Sequence, residues 1–131
     1  MKPFRVIVFG KAGCRKCKVL NSRLDSLLKK ENWQDFGKRY VDVETEDGLV
    51  EFCKTECINP QRIPALVVEK RSDDTDGYRP VPNPRPGAPD EVCGDSKLYT
   101  ILGLQTDYTD RGRGVLTPKM IRSVLTEARA E

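Results

Sequence analysis

Two cysteines near the N-terminus have a spacing that thiol–disulfide chemistry uses. Cys14 and Cys17 are separated by Arg15 and Lys16, and they follow the apolar run of residues 6–9. That run predicts a buried strand, and leucines at helical spacing after the second cysteine predict a helix. The pair therefore lies where a strand turns into a helix. A Cys-x-x-Cys at such a turn is typical of a thiol–disulfide redox site.

The placement predicts different roles for the two sulfurs. Backbone N–H groups and the partial positive charge at a helix N-terminus favour the thiolate, which is the form that attacks a disulfide. Lys11, Arg15 and Lys16 add positive charge near the first sulfur. We therefore predict that Cys14 is the nucleophile. Cys17, about one helical turn further on, is then the thiol that resolves the mixed disulfide.

The composition argues against several other classes of protein. The chain has 131 residues, five cysteines and no histidine, so the commonest general base and the commonest zinc ligand are both missing. Its net charge of +3 is mild and its cations are dispersed, so we expect no binding to nucleic acid. We find no apolar run long enough to cross a membrane, and we expect no leader segment, because the short stretch before the first strand leaves no room for one. We therefore expect no membrane association and a cytoplasmic location, where cysteines stay reduced and serve catalysis or metal binding.

Strand and helix patterns alternate along the chain, which predicts a single α/β domain over residues 1–131. Thr45 and Thr117 are expected to cap helices, and Pro118 suits the first helical position after the second of them. The predicted strands cover residues 4–9, 39–43, 63–68 and 98–102, and the predicted helices cover residues 13–30, 45–57 and 117–130.

A polar, proline-rich insert of about residues 71–97 separates the third predicted strand from the fourth. Alternate prolines in residues 80–89 favour extended polyproline-II geometry and argue against a central strand. We interpret the insert as a surface loop, and we expect its cysteine, Cys93, to be inert. The alternative is a segment that docks a protein partner, because polyproline-II segments bind aromatic grooves.

The order βαβαββα resembles that of the glutaredoxin and thioredoxin-like family. Residues 6–9, followed by Lys11 and the Cys14–Cys17 motif, are similar to the first strand, the lysine and the Cys-x-x-Cys of glutaredoxins. The resemblance implies a thioredoxin fold of the short, glutaredoxin-like form. This fold is a four-stranded mixed sheet flanked by three helices, and here it would carry the long insert between strands 3 and 4.

A second motif of the same resemblance is formed by Arg62, Ile63 and Pro64, which lead into a strand. They are similar to the family's Thr-Val-Pro, whose proline is cis and faces the redox cysteines. The resemblance implies that Pro64 is cis and that the backbone of Ile63 binds a substrate cysteine. It also implies that Lys11 and Arg62 contact a glutathione carboxylate.

The function that the resemblance implies is a thiol–disulfide oxidoreductase of the glutaredoxin or thioredoxin-like type. Its substrates would be protein disulfides or glutathione. It would need no bound cofactor and would take its electrons from glutathione or from a reductase.

The remaining cysteines leave two other functions open. Cys53 and Cys57 fall with Leu49 on one face of the second predicted helix, where we expect them to pack in the core. Alternatively the chain is a metal or iron–sulfur carrier, with four thiolate ligands from Cys14, Cys17, Cys53 and Cys57. A third possibility is a non-catalytic module that keeps the fold and binds a protein through the insert.

Overall fold

The strand β1 (Phe4–Gly10), whose residues 6–9 are all apolar, lies inside a mixed β-sheet. The structure, a computed structural model, describes residues 2–54, 62–72, 77–84, 98, 101–106 and 116–131. The other strands in these ranges are β2 (Phe36–Asp42), β3 (Ala65–Arg71), β4 (Tyr78–Pro80) and β5 (Gly103–Gln105). The helices are α1 (Arg15–Leu28), α2 (Glu46–Lys54) and α3 (Pro118–Ala130), with a 3-10 turn at Glu31–Trp33.

The sheet has the order β2-β1-β3, with β4 and β5 both paired to the outer side of β3. β1 and β2 are parallel, with Phe4 opposite Phe36, whereas β1 and β3 are antiparallel, with Phe9 opposite Ala65. β5 pairs with residues 65–67 of β3, and β4 pairs with residues 69–71. The two short strands therefore share one edge, so that the sheet is four positions wide although it contains five strands.

Side chains of β1 supply both faces of the sheet, which explains why its sequence is a continuous apolar run rather than an alternating one. Val6 and Val8 belong to the cluster formed with α1 and α3. Ile7 and Phe9 belong to a second cluster, which includes Phe52 of α2. The sheet is thus covered by α1 and α3 on one face and by α2 on the other.

Both predicted threonine caps are confirmed. The hydroxyl of Thr45 accepts a hydrogen bond from the backbone N–H of Gly48 at 3.0 Å. The hydroxyl of Thr117 accepts one from Met120 N–H at 3.2 Å, and Pro118 opens α3 as expected. In the part of the chain that the structure describes, no helix combines the length and the apolar character needed to cross a bilayer.

The strand β2 begins earlier than predicted because aromatic packing extends it. Phe36 stacks on Phe4 at a ring distance of 4.8 Å, and Trp33 packs beside it at 5.7 Å. These contacts place residues 36–38, whose pattern carries no strand signal, in register with β1.

The fourth predicted strand and the start of the insert differ from expectation. Residues 78–80, assigned to a surface loop, form β4. Of the strand expected at residues 98–102, residues 99 and 100 lie outside the described residues and Ile101 forms an isolated bridge to Pro82, whereas β5 lies at Gly103–Gln105. Pro80 is tolerated because β4 is an edge strand, where a missing N–H costs no ladder bond. A Cβ at Gly103 would lie 2.3 Å from the carbonyl oxygen of Leu66, so this close pairing needs glycine. Residues 73–76 and 85–97 of the insert, including Cys93, lie outside the described residues. Residues 80–84, half of the proposed docking segment, are described, and Val81 and Asn83 among them are buried.

The prediction for the buried face of α2 was wrong. Leu49 is 47% exposed and Cys53 is also exposed, whereas Gly48 and Phe52 are buried. The reason is the close approach of α2 to the end of β2: a Cβ at Gly48 would lie 1.9 Å from the carbonyl oxygen of Asp42. Phe52, one turn on, then packs edge-to-face on Phe9 at 5.3 Å. Cys57 lies outside the described residues.

These elements form the thioredoxin fold in its short form, as predicted. The defining features are a parallel β1–β2 pair joined by α1, an antiparallel β3 on the other side of β1, and α3 packed beside α1. The fold places the N-terminus of α1 directly after the central strand, which is where the two cysteines lie.

Candidate active site

Cys14 immediately precedes α1 and acts as its N-cap. Its backbone is extended (φ −84°, ψ 114°), and its Sγ accepts a hydrogen bond from Cys17 N–H at 3.2 Å. A sulfur thus takes the position that a serine or aspartate oxygen takes in most capped helices. The turn before it passes through Gly13 at φ +76°, a conformation that favours glycine. Because Cys14 is partly exposed, its sulfur is accessible at the electropositive end of a helix.

Cys17 lies one turn further along α1 and is only 1% exposed. Burial, followed by the hydrogen-bonded side chain of Cys14, raises the pKa of the Cys17 thiol to about 12; the backbone and charge of Lys11 act in the opposite direction. Cys17 is therefore a protonated thiol at neutral pH. The two cysteines thus differ in exposure, since Cys14 is partly exposed and Cys17 is buried. Their roles in an exchange reaction stay predictions.

Tyr40 is a residue of this site that the sequence did not indicate. A Cβ at Gly10 would lie 3.0 Å from the Tyr40 hydroxyl and 3.1 Å from Cys17 Sγ, so both groups lie against the same glycine. Burial, and then the nearby Cys17, raises the pKa of the Tyr40 phenol above its ordinary value. Tyr40 reaches the site because it stands opposite Val8 in the parallel register of β1 and β2. That register could not be derived from the spacing of residues along the chain.

The Ile63–Pro64 peptide bond is cis, as the resemblance implied. The segment is held by Thr106, which is fully buried just after β5. The Pro64 carbonyl accepts hydrogen bonds from both the backbone N–H and the hydroxyl of Thr106. Arg62 Nε in turn donates to the Thr106 carbonyl at 2.8 Å. Thr106 therefore fixes this turn, a role that no motif in the sequence indicated.

Of the four predicted substrate-binding residues, Pro64 lines a groove together with Arg15 and Lys16, the two residues between the cysteines. Lys11, Arg62 and Ile63 are not among the residues that line it. Lys11 is exposed one turn before α1, and its carbonyl accepts a hydrogen bond from Cys14 N–H at 3.4 Å. The Ile63 side chain is buried. Contacts of these residues with a substrate stay predictions.

The alternative four-sulfur site is not assembled by the part of the chain that the structure describes. Cys14 and Cys17 lie together, but Cys53 is exposed on α2 and does not join them. Across the described ranges, no three Cys, Asp or Glu side chains come close enough to hold a metal ion. Cys57 lies outside those ranges.

The combination of fold and site defines a thioredoxin-fold protein with an accessible and a buried cysteine at the start of its first helix. Among similar solved structures are mitochondrial thioredoxin 3 of Saccharomyces cerevisiae in its oxidised form and a thioredoxin of Trichomonas vaginalis. The yeast protein is 19% identical with a TM-score of 0.42, and the alignment covers 60% of this chain and 64% of the yeast chain. The Trichomonas protein is 20% identical with a TM-score of 0.42, and the coverage is 57% and 61%.

The chain thus spans less than two thirds of either thioredoxin. No family model and no curated protein matches it. The assignment of the fold accordingly rests on the strand order, the strand directions and the position of the cysteine pair.

Proposed function

We propose that this protein is a dithiol thiol–disulfide oxidoreductase. The observation that carries the proposal is the position of the Cys14 sulfur, which is accessible and accepts the Cys17 N–H at 3.2 Å at the N-terminus of α1. The same donor and the helix dipole stabilise negative charge on this sulfur. Those are the requirements for a thiolate that attacks a disulfide.

The reaction has two exchange steps. The Cys14 thiolate attacks one sulfur of the substrate disulfide, so that a mixed disulfide forms and the other substrate sulfur leaves as a thiolate. Cys17 then loses its proton and attacks Cys14 Sγ, which closes the Cys14–Cys17 disulfide and releases the second substrate thiolate. Overall the substrate disulfide gains two electrons and the protein dithiol loses two.

The burial of Cys17 determines the order in which the two cysteines react. Because its pKa is about 12, Cys17 is a poor nucleophile until it is next to the mixed disulfide. Cys14 therefore reacts with the incoming substrate first, and Cys17 acts only on the intermediate.

The finer features of the function follow the family resemblance and are part of the proposal. We propose protein disulfides or glutathione as substrates, with Lys11, Arg62, Ile63 and Pro64 contacting them. We propose that glutathione or a reductase returns the electrons. We place the reaction in a reducing compartment such as the cytoplasm.

The test is a single-turnover reaction of the reduced protein with a peptide–glutathione disulfide, followed by mass spectrometry after acid quenching. We expect Cys17→Ser to accumulate a mixed disulfide at Cys14, because the resolving thiol is missing. We expect Cys14→Ser to react only at the slow rate of an ordinary exposed thiol, because Cys53 is still present. Cys53→Ser is the matched control, since it removes an exposed thiol away from the pair and should behave as the parent. Retention of the parent rate in Cys14→Ser would contradict the proposal.

A further inference from the structure

A groove of about 240 Å³ lies beside the cysteine pair, between the first turns of α1 and the segment that leads into α3. Its floor is apolar: Val19 and Leu20 come from α1, Pro64 from the turn before β3, and Leu116 from the residues before α3. Val19 is 41% exposed although it is a large apolar residue. The groove therefore presents apolar surface to whatever approaches Cys14.

The rim of the groove is cationic. Arg15, Lys16 and Arg23 line it, and no carboxylate does so among the described residues. One guanidinium N–H of Arg23 donates to the Leu116 carbonyl at 2.8 Å, which holds that charge over the groove. The next acidic residue on α1, Asp25, is already paired with Lys38 at 2.7 Å.

This charge is a local feature, because the whole chain carries a net charge of only +3. Residues 15–23 contain four cations and no acidic residue. The N-terminal end of the α1 dipole adds further positive potential at the same place. An occupant with carboxylates next to its disulfide gains attraction here, and a basic occupant is repelled.

The size of the groove decides what kind of occupant fits. Small-molecule and cofactor pockets usually enclose about 300–1,000 Å³, so a volume of about 240 Å³ suits one or two side chains of a chain laid across it. An apolar floor with a cationic rim favours a bound segment that has an apolar side chain and a carboxylate close together in its sequence.

We propose that this groove makes the protein selective for disulfides in acidic protein segments, in which the substrate cysteine has an apolar residue and carboxylates beside it. The inference rests on the proposed function and specifies its substrate class. Arg15 supplies the charge recognition at the point of exchange, and Val19 supplies the apolar contact.

The test uses peptides with one cysteine blocked as a 2-thiopyridyl disulfide. The leaving group is neutral and the same in every peptide, so the peptides differ only in the residues beside the cysteine. Each peptide carries leucine beside the cysteine, and the flanks are otherwise glutamate, glutamine or lysine. Attack by Cys14 on the peptide sulfur forms the mixed disulfide and releases pyridine-2-thione. Its absorbance, less that released by Cys14→Ser, which keeps the exposed Cys53 thiol, gives the rate constant. We expect the glutamate peptide to react about tenfold faster than the lysine peptide, with a preference that shrinks as ionic strength rises.

Arg15→Glu tests the source of the selectivity, and Lys18→Glu is its matched control. Both change the net charge equally on an exposed position of α1, but Lys18 does not line the groove. The ratio of the glutamate to the lysine rate constant is the readout, because a change in the intrinsic reactivity of Cys14 cancels in it. We expect Arg15→Glu to abolish or reverse the preference and Lys18→Glu to retain most of it.

The apolar floor is tested separately by replacing leucine with serine in the glutamate peptide. We expect the parent to favour leucine and Val19→Thr, which keeps the side-chain shape, to lose that preference. Equal rates for all peptides, or equal effects of Arg15→Glu and Lys18→Glu, would overturn the substrate selectivity while leaving the oxidoreductase proposal in place. A rate no higher than that of Cys14→Ser with every peptide would instead overturn the proposed function.

Discussion

Gly10 closes β1 at the point where two side chains of the site converge. The Tyr40 hydroxyl and Cys17 Sγ lie 3.0 Å and 3.1 Å from the position that a Cβ would occupy. Glycine is needed here because any larger residue would displace the phenol or the buried sulfur.

At this residue scale we predict that Gly10→Ala lowers the free energy of unfolding by about 1–2 kcal/mol through overpacking. Tyr40→Phe removes the hydroxyl on one side of the added methyl, so Gly10→Ala should have a smaller effect in that background. Urea unfolding of the parent, the two single variants and the double variant measures the coupling, which we expect to exceed about 0.5 kcal/mol. If Gly10→Ala lowers the free energy of unfolding equally with and without the hydroxyl, the added methyl does not pack against Tyr40.

At the scale of elements, the position of α2 shows how tertiary contact overrides a helical pattern. The i, i+4 spacing of Leu49 and Cys53 predicted their burial, but both are exposed. Gly48 sets the rotation of the helix instead, because only a residue without Cβ fits against the Asp42 carbonyl. Phe52 then fills the core position on Phe9.

Helix propensity and this steric contact predict opposite effects of Gly48→Ala on the free energy of unfolding. Helix propensity alone favours the alanine by about 1 kcal/mol. The steric overlap at 1.9 Å with backbone cannot be relieved by a side-chain movement, so we expect a net destabilisation of about 2 kcal/mol or more. Val50→Ala, at an exposed position of the same helix, should change stability by less than about 0.5 kcal/mol. Thermal or urea unfolding decides the question, and a stabilised Gly48→Ala would refute the docking of α2 described above.

At the scale of the whole molecule, the buried thiol of Cys17 in α1 links the free energy of unfolding to pH. Cys17 has a pKa of about 12 in the folded protein against an ordinary value of 9.0. Below pH 9.0 both the folded and the unfolded chain hold the thiol proton, so the thiol adds no pH dependence to stability. Between 9.0 and 12 only the unfolded chain releases it, and stability falls as pH rises. The raised pKa of Tyr40 acts in the same direction.

We therefore predict that the reduced parent loses stability more steeply across this alkaline range than Cys17→Ala does. The two proteins share their other titrating groups, so the difference between their slopes reports the Cys17 thiol together with its effect on the Tyr40 pKa. Urea unfolding at a series of pH values, with a reductant present throughout, gives both slopes. Parallel slopes would show that the thiol is not enclosed in the folded protein.

Local features of the sequence were sufficient for much of the fold and for the two cysteines. The apolar run of β1, the leucine stripe of α1 and the threonine caps each depend on neighbours within a few residues, and all are present in the structure. The position of the Cys-x-x-Cys at the start of α1 could be predicted for the same reason, because a strand, a turn and a helix start are local patterns.

Tertiary structure alone decided which distant residues join the site. Tyr40 meets Cys17 through the register between β1 and β2, and Thr106 meets Pro64 through the pairing of β5 with β3. The groove likewise needs Leu116 to pack beside α1. Pairing between strands and packing between helices bring together residues far apart in the chain, and a one-residue shift in register would reverse which face a side chain takes. The spacing of residues along the sequence carries no measure of that register.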